Sequence, residues 1–358
     1  MSTSSTPGSH PGRPGRPRRH VDLDALDLVP VAEGSTPADA VAATVAAART
    51  AEAAGYRRYW MAEHHNFPGA ASSATAVLVG HVASATTSIR VGSGGIMLPN
   101  HAPLVVAEQF GTLATLHPGR IDLGLGRAPG TDPVTAHALR RVEDAAVDFG
   151  SEVAQVLRYL GPVDVTARVR AVPGEGTQVP VWILGSSHGG AQVAAALGLP
   201  YAFASHFAPR MLGSALQVYR EGFRPSGRDG SLEAPRVAAA VNVVVADTRE
   251  RAERIWGSHL TRVHGIVTGR RGLLPPAVDG DVTAGWSPQE RAAVDSMTAV
   301  SFIGTPSAVR DGLQDFVDAT GVDELVVATS AHDLDDRLRS LRLLGEVWHG
   351  AGVTASVA

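Results

Sequence analysis

From about residue 21 onward, short β-branched or apolar runs alternate with longer Ala/Leu-rich amphipathic stretches, and this alternation constrains the fold more than any other feature of the chain. Short apolar runs bounded by turn residues read as buried strands, and apolar residues recurring at helical spacing read as helices. Strands are expected at 21–29, 58–62, 89–98, 120–125, 180–184, 201–204, 236–246 and 324–328, with an uncertain strand or hairpin at 163–172. Between them, Ser35-Thr36-Pro37 offers a cap and a first-turn proline for a helix that ends at Ala54 and is closed by Gly55. Further helices are expected over 73–85, 103–116, 144–160, 209–223, 248–260, 307–319 and 333–348, and from the glycine run at 185–190 to Leu197. About eight strands and eight helices in 358 residues suit an α/β fold of the (β/α)8, or TIM-barrel, type, as one domain over 21–350. Residues 261–287 are rich in Gly and Pro and weakly periodic, which suggests a mobile lid before the last βα unit. No internal repeat is visible, which argues against a solenoid.

Composition narrows the chemistry. With 44% hydrophobic and 18% charged residues the chain can bury a sizeable core, and its net charge of −4 creates no general attraction for nucleic acid or an anionic membrane. There is no cysteine, which excludes disulfides, thiolate nucleophiles and Cys-type metal centres. There is also no lysine, which excludes Schiff-base chemistry and a Walker A loop, so any side-chain cation for an anion is arginine or protonated histidine. No apolar stretch reaches the roughly 18 residues of a membrane helix, and a soluble, cytoplasmic protein is expected. Residues 1–20 lack the apolar content to order themselves, and their Arg13, Arg16, Arg18, Arg19 cluster is read as part of a solvated tail rather than a targeting signal. Residues 351–358 are expected to be a flexible C-terminus.

In such a barrel the chemistry sits at the C-terminal strand ends. Glu63-His64-His65 follows the second strand, where neighbouring side chains alternate sides, so at most one of the two histidines faces a central site. Gly92-Ser93-Gly94-Gly95 interrupts an apolar strand, as close approach of a flat ligand or a bulge would require. The stretch Gly124 to Gly130 superficially matches a dinucleotide fingerprint, but its last glycine is displaced and Pro129 stands where the helix should begin. Arg127 within it is an obligate cation suited to phosphate or carboxylate. Gly185-Ser186-Ser187-His188-Gly189-Gly190 places small residues, hydroxyls and free N–H groups at a helix N-terminus, an anion cup.

Four stretches then resemble the bacterial luciferase-like flavin-dependent monooxygenases: Tyr59 to Asn66, Val91 to His101, Asp122 to Asp132, and Trp182 to Ser187. The resemblance runs from about Leu28 to Leu344 and implies a (β/α)8 barrel that binds FMN. It implies that Gly94-Gly95 lies behind the isoalloxazine, often through a non-proline cis peptide, and that Arg127, Gly185, Ser186 and Ser187 lie near the phosphate. Asn100 and His188 are counted with the cofactor-binding residues. His64 would sit beside the reacting edge of the flavin as the proton-handling group, with Glu63 setting its charge and orientation. The reaction implied is oxygenation of a small organic substrate by FMNH2 and O2 through a C4a-hydroperoxyflavin. A separate NAD(P)H:flavin reductase and a homodimer are also implied. F420-dependent hydride transfer on the same barrel, a non-catalytic flavin-binding protein, and a metal-dependent hydrolase built on His64, His65, His101 and Asp132 are the rival readings. No metal is expected.

Overall fold

Helix and strand boundaries follow local chemistry closely in the computed structural model, which describes residues 19–128, 131–139, 148–228 and 231–350. The elements in chain order are β1 (Asp22–Asp27), α1 (Pro37–Ala53), β2 (Arg58–Met61), α2 (Thr75–Ala85), β3 (Arg90–Met97), α3 (Pro103–Leu116), β4 (Ile121–Gly126), α4 (Pro133–Ala138), α5 (Phe149–Leu160), β5 (Val181–Gly185) and α6 (His188–Leu197). They continue with β6 (Tyr201–Phe203), α7 (Leu212–Gly222), β7 (Val237–Val245), α8 (Arg249–Val267), α9 (Pro288–Met297), β8 (Ser301–Gly304), α10 (Pro306–Thr320), β9 (Glu324–Ala328) and α11 (Leu334–His349). At the start of α1, Thr36 and Asp39 form a reciprocal capping box with Pro37 in the first turn, and Gly55 takes the left-handed φ of +81° that reverses the chain.

All strand pairings are parallel, in the order β6-β5-β4-β3-β2-β1-β9-β7-β8, and β6 also pairs with β7 to close an eight-stranded barrel. The ninth strand, β8, arises because β6 is short. β6 covers only Val237 to Ala239 of β7, so the C-terminal half of β7, from Asn242 to Val245, pairs with Ser301 to Gly304 instead. Strands buried on both faces read as continuous apolar runs. All nine residues of β7 and all five of β9 are buried accordingly.

Two cores result. One lies between the strands and the helix shell, and a smaller one inside the barrel comprises Leu26, Trp60, Trp182, Ala238, Ala240, Val326 and Ala328. The small Ala238 and Ala240 leave room for Trp60 and Trp182, whose rings meet edge to face at 5.9 Å. Beneath them the buried Arg58 guanidinium pairs with Glu324 and Asp122, lies 3.6 Å from Asp24, and sits 5.1 Å from the Trp182 ring centroid. This plug of ion pairs and indoles closes the N-terminal end and leaves the C-terminal end open. No described helix is long and apolar enough to cross a membrane.

The eight barrel strands coincide with those expected from sequence, with four corrections elsewhere. Residues 163–172 form turns rather than a strand or hairpin. The helix expected to stop at 260 continues to Val267, so the segment read as a lid begins only at 268, and it is docked: Leu274 N–H donates to Val31 O at 2.9 Å and Leu274 O accepts from Glu33 N–H at 2.9 Å. Helices α4 and α9 and strand β8 were not expected. Ser287 and Glu290 form a capping box with Pro288 between them, a signal readable from sequence. Finally, Arg19 and His20 belong to the folded body rather than the tail: Arg19 pairs with Asp323 and His20 lies 6.1 Å from the Trp348 ring. The remainder of the expected tail, the C-terminus at 351–358, Pro129-Gly130 and the start of the helix expected from 144 lie outside the described residues.

Candidate functional site

At the open end of the barrel a cleft of about 360 Å³ is lined by the ends of β1 to β6 and the loops that follow them. Its floor is bare main chain. Gly94 and Gly95 line it through a cis peptide bond, and the pairing of β3 with β4 shifts register between Ser93 and Ile96. A Cβ on Gly94 would come within 2.9 Å of the Trp60 Cβ, and one on Gly95 within 2.6 Å of Gly124 O. Ser93 ties the irregular strand to its neighbour, its Oγ donating to Gly124 O at 2.8 Å and accepting from Gly124 N–H at 3.0 Å. The bulge weighed for the glycine run is present, and the missing side chains are required there by Trp60 and by the main chain of Gly124.

The cleft also reaches the first turn of α6. Gly185, Ser186, Ser187 and Gly190 line it there, together with Arg127 from the end of β4. Ser187 occupies the N-cap position yet makes no side-chain bond to the helix, so its hydroxyl does not perform the usual capping task. The Arg127 guanidinium packs over the same turn: a Cβ on Gly189 would lie 2.9 Å from its Nη1. Helix-end amides, two hydroxyls and an arginine thus meet at one point, the donor set that phosphate requires.

His64 lines the cleft and His65 does not, as expected, but not by strand alternation: β2 ends at Met61, and the adjacent Ala62 and Glu63 line the cleft too. The His64 ring meets Phe67 edge-on at 6.2 Å, and its Nδ1 is buried with no hydrogen-bond partner. Burial, reinforced by the charge of Arg262, pushes His64 down to about 4. It is therefore neutral at ordinary pH.

Glu63, 1% exposed, does not orient His64 as expected. Its Oε1 accepts from His65 Nε2 at 2.8 Å and from His101 Nε2 at 2.9 Å, and its Oε2 accepts weakly from Met97 N–H at 3.4 Å. Burial pushes the Glu63 carboxyl up, but the bonds from His101 and then His65 outweigh it and hold the group below the ordinary carboxylate range. An ionised carboxylate only accepts, so both imidazoles carry their proton on Nε2. The ligand atoms of Glu63, His65 and His101 lie within 4.8 Å of one another, a set that could hold a metal ion. The metal site weighed from His64, His65, His101 and Asp132 is not assembled. Asp132 instead caps α4 at Thr135 and accepts from Asn66.

Two expected cofactor contacts lie off the cleft wall. Asn100 sits in the single 3-10 turn after β3, and the His188 side chain is directed to Ser214 Oγ at 2.8 Å, leaving His188 only its main chain at the start of α6. Sequence reasoning missed His206 and Phe207, which line the cleft just beyond β6. The rule applied to Glu63-His64-His65, polar residues at a strand's C-terminal end, would have found Ser205-His206. Nothing in the sequence marked Arg262 of α8, which is buried and whose charge acts on His64.

Comparison with known proteins agrees with this architecture. Residues 25–324 match the luciferase-like monooxygenase family profile. The chain is 48% identical over 332 residues to YvbT of Bacillus subtilis (strain 168), covering 92% of this chain and 98% of that one. It is 47% identical over 328 residues to a luciferase-like monooxygenase of Escherichia coli (strain K12), covering 91% and 97%. Among solved structures, apo-MsnO8 superimposes with a TM-score of 0.80 at 37% identity, covering 92% and 98%. At lower identity the fold alone is shared with the FMN complex of the oxygenating constituent of 3,6-diketocamphane monooxygenase, with TM-score 0.66 at 17% identity over 95% and 99%. It is shared likewise with an F420-dependent tetrahydromethanopterin reductase from Methanopyrus kandleri, with TM-score 0.63 at 18% identity over 92% and 98%. The chain belongs to the luciferase-like monooxygenase family.

Proposed function

We propose that the protein is an FMN-dependent monooxygenase that uses reduced flavin and O2 to oxidise a small organic substrate, the flavin being reduced by a separate NAD(P)H-dependent partner. One observation carries the reading. A side-chain-free floor at Gly94-Gly95 and a phosphate donor set at Arg127, Ser186 and Ser187 line one cleft, as a planar redox group with a phosphate tail requires.

The residues present fit such a group. Arg127 and the α6 amides would hold the phosphate, and their fixed positions would determine where the ring lies over Gly94-Gly95. Such a cofactor, bound in reduced form, would supply the two electrons with which one oxygen atom of O2 enters the substrate and the other leaves as water. The chain's own contribution is positioning, exclusion of water and proton handling. Beside Gly94-Gly95, Trp60, Leu26, Ala240 and Val326 make the cleft interior apolar, and Leu28 and Phe207 add to that lining. Low polarity there strengthens each hydrogen bond to the ring and keeps bulk water from the reacting atoms. Neutral His64 has one N–H to donate and one lone pair to accept, so it can take a proton released during oxygen transfer and return it. The hydrogen bonds of Glu63 to His65, His101 and Met97 N–H hold the chain next to His64.

The test is anaerobic loading with FMNH2 followed by oxygen-18 gas and a panel of small thioethers, ketones and phenols, with products read by mass spectrometry. Label in a product supports oxygenation. Anaerobic turnover of F420 with no label incorporated would replace the proposal with hydride transfer, and tight FMN binding with neither activity would leave a binding protein.

A further inference from the structure

Three side chains beside the cleft converge on one point that the flavin reading leaves without a chemical role. Glu63 and His65 lie in the loop after β2, and His101 ends the 3-10 turn between β3 and α3. Glu63 Oε1 is 2.8 Å from His65 Nε2 and 2.9 Å from His101 Nε2, and the three atoms lie within 4.8 Å of one another. Two ligands at right angles on a metal with bonds of about 2.0–2.1 Å are about 2.9 Å apart, so both oxygen–nitrogen spacings already suit adjacent positions on one ion. The backbone is held at both histidines: Thr131 Oγ1 donates to His65 O at 3.1 Å, and His101 N–H donates to Leu98 O at 2.9 Å.

The charge at this point favours a cation as well. Glu63 is 1% exposed, and among the described residues no arginine pairs with it; its ionic neighbours are the two imidazoles. Its Oε2 accepts from Met97 N–H at 3.4 Å, a long bond. Buried carboxylates are paired with a cation or coordinate a metal. The His65 and His101 side chains are 14% and 28% exposed, so an ion can reach the three ligand atoms from solvent and keep water on its open side. Ligation needs the Nε2 lone pair, which a neutral ring frees by carrying its proton on Nδ1. Neither His65 nor His101 has a buried nitrogen without a partner, so this change of tautomer strands no donor.

We propose that Glu63, His65 and His101 bind a divalent transition-metal ion of the zinc type, with water in the remaining positions. Two imidazole nitrogens and one carboxylate oxygen favour Zn2+, Co2+ or Ni2+ over Mg2+ and Ca2+, which take oxygen ligands. The set differs from the one weighed in the sequence, Glu63 taking the place of His64 and Asp132. With ligands on both sides of His64 and a third before α3, the ion would tie the end of β2 to the neighbouring turn and fix the chain that carries His64. His65 and His101 do not line the cleft, and none of the three ligands belongs to the set at Arg127, Ser186, Ser187 and Gly94-Gly95. The site therefore stands or falls independently of the flavin.

The experiment uses the tag-free full chain, stripped with EDTA and titrated calorimetrically with ZnCl2, with MgCl2 as control. Zinc is expected to bind saturably at one ion per chain and to raise the melting temperature, and magnesium to do neither. His65→Gln and His101→Gln keep a side-chain N–H for Glu63 but remove an imidazole ligand, so each should weaken zinc binding by at least about tenfold and lose the zinc-dependent rise in melting temperature. His81→Gln, which removes an exposed histidine of α2, should bind zinc as wild type does. In wild type, modification by diethyl pyrocarbonate mapped by mass spectrometry should show zinc protecting His65 and His101 and leaving His81 reactive; this arm decides the matter if either variant fails to fold. No saturable zinc binding by wild type would overturn the proposal. So would unchanged zinc affinity in folded His65→Gln and His101→Gln, which would make the three residues a hydrogen-bonded cluster alone. Equal protection of His81, or an equal loss of affinity in His81→Gln, would reduce the binding to adventitious surface histidines. Failure of wild type to bind FMN while zinc titrates as expected would sink the flavin reading and leave the metal site standing.

Discussion

Gly189→Ala separates the two roles of the α6 turn. A helical glycine replaced by alanine gains up to about 1 kcal/mol from lower backbone entropy in the unfolded chain. The added methyl would stand 2.9 Å from Arg127 Nη1 and 3.2 Å from its Cζ and Nη2, so the guanidinium must move. It is the far end of a flexible side chain, so the fold loses little. Phosphate binding is affected differently, since a charge-assisted hydrogen bond contributes about 1.5–3 kcal/mol, or roughly 10- to 100-fold in affinity. The variant should therefore melt at or slightly above the wild-type temperature while binding FMN about 10- to 100-fold more weakly. Thermal denaturation and quenching of flavin fluorescence read the two quantities separately. Wild-type FMN affinity in a folded Gly189→Ala protein would refute the claim that Arg127 and the α6 turn act together on the phosphate.

Three further outcomes follow from buried groups. Asp27 is fully buried, accepts from Tyr59, Thr44 and Val29, and pairs with Arg337 at 2.7 Å, so Asp27→Asn should lose about 3–5 kcal/mol in denaturant unfolding. Burial pushes its carboxyl up, but Arg337 and these hydrogen bonds prevail and hold it below the ordinary value. Its contribution is therefore present above the unfolded pKa of about 4 and is lost as pH falls through the folded value; a loss below about 1 kcal/mol on Asp27→Asn would contradict this. His64 and His206, both near 4 when folded, take up protons more readily in the unfolded chain. Between pH 6.5 and 5 each should reduce stability by about 1.5 kcal/mol, and the His64→Gln/His206→Gln double variant should lose most of that slope in pH-dependent unfolding. Gly92→Ala would place a Cβ 2.6 Å from Asp122 O and 2.8 Å from the Trp60 ring, so it should express as insoluble protein or unfold at least about 3 kcal/mol more easily, whereas a wild-type melt would show that β3 can move off β4.

How much was legible follows from which interactions are local. All eight barrel strands and the capped start of α1 were readable because hydrophobic period and cap chemistry are encoded within a few residues. The C-terminal turn of α8 was not. Thr261, Gly265 and Val267 are weak helix formers, and the helix persists there because Val263 is buried and His264 stacks on Trp286 at 4.3 Å. β8 escaped notice because a four-residue strand exists only where β6 leaves the edge of β7 uncovered, which no local pattern announces.

The site shows the same division. Glu63, His64, Gly94, Gly95, Arg127, Gly185, Ser186 and Ser187 were found because each follows or interrupts a strand at the barrel mouth. The partnership of Glu63 with His65 and His101 was not, since the 38 residues separating Glu63 from His101 carry no sign of their contact. Arg262, whose charge acts on His64, was invisible for a related reason: an arginine on a helix reads as solvated until the fold shows it buried.

Calorimetric titration with FMN and with riboflavin, which lacks the phosphate, tests the central claim most directly. The account predicts saturable FMN binding at one molecule per chain, with riboflavin weaker by at least about 100-fold, because the α6 amides and Arg127 act on the missing group. Equal affinities for the two, or no heat from either, would contradict it.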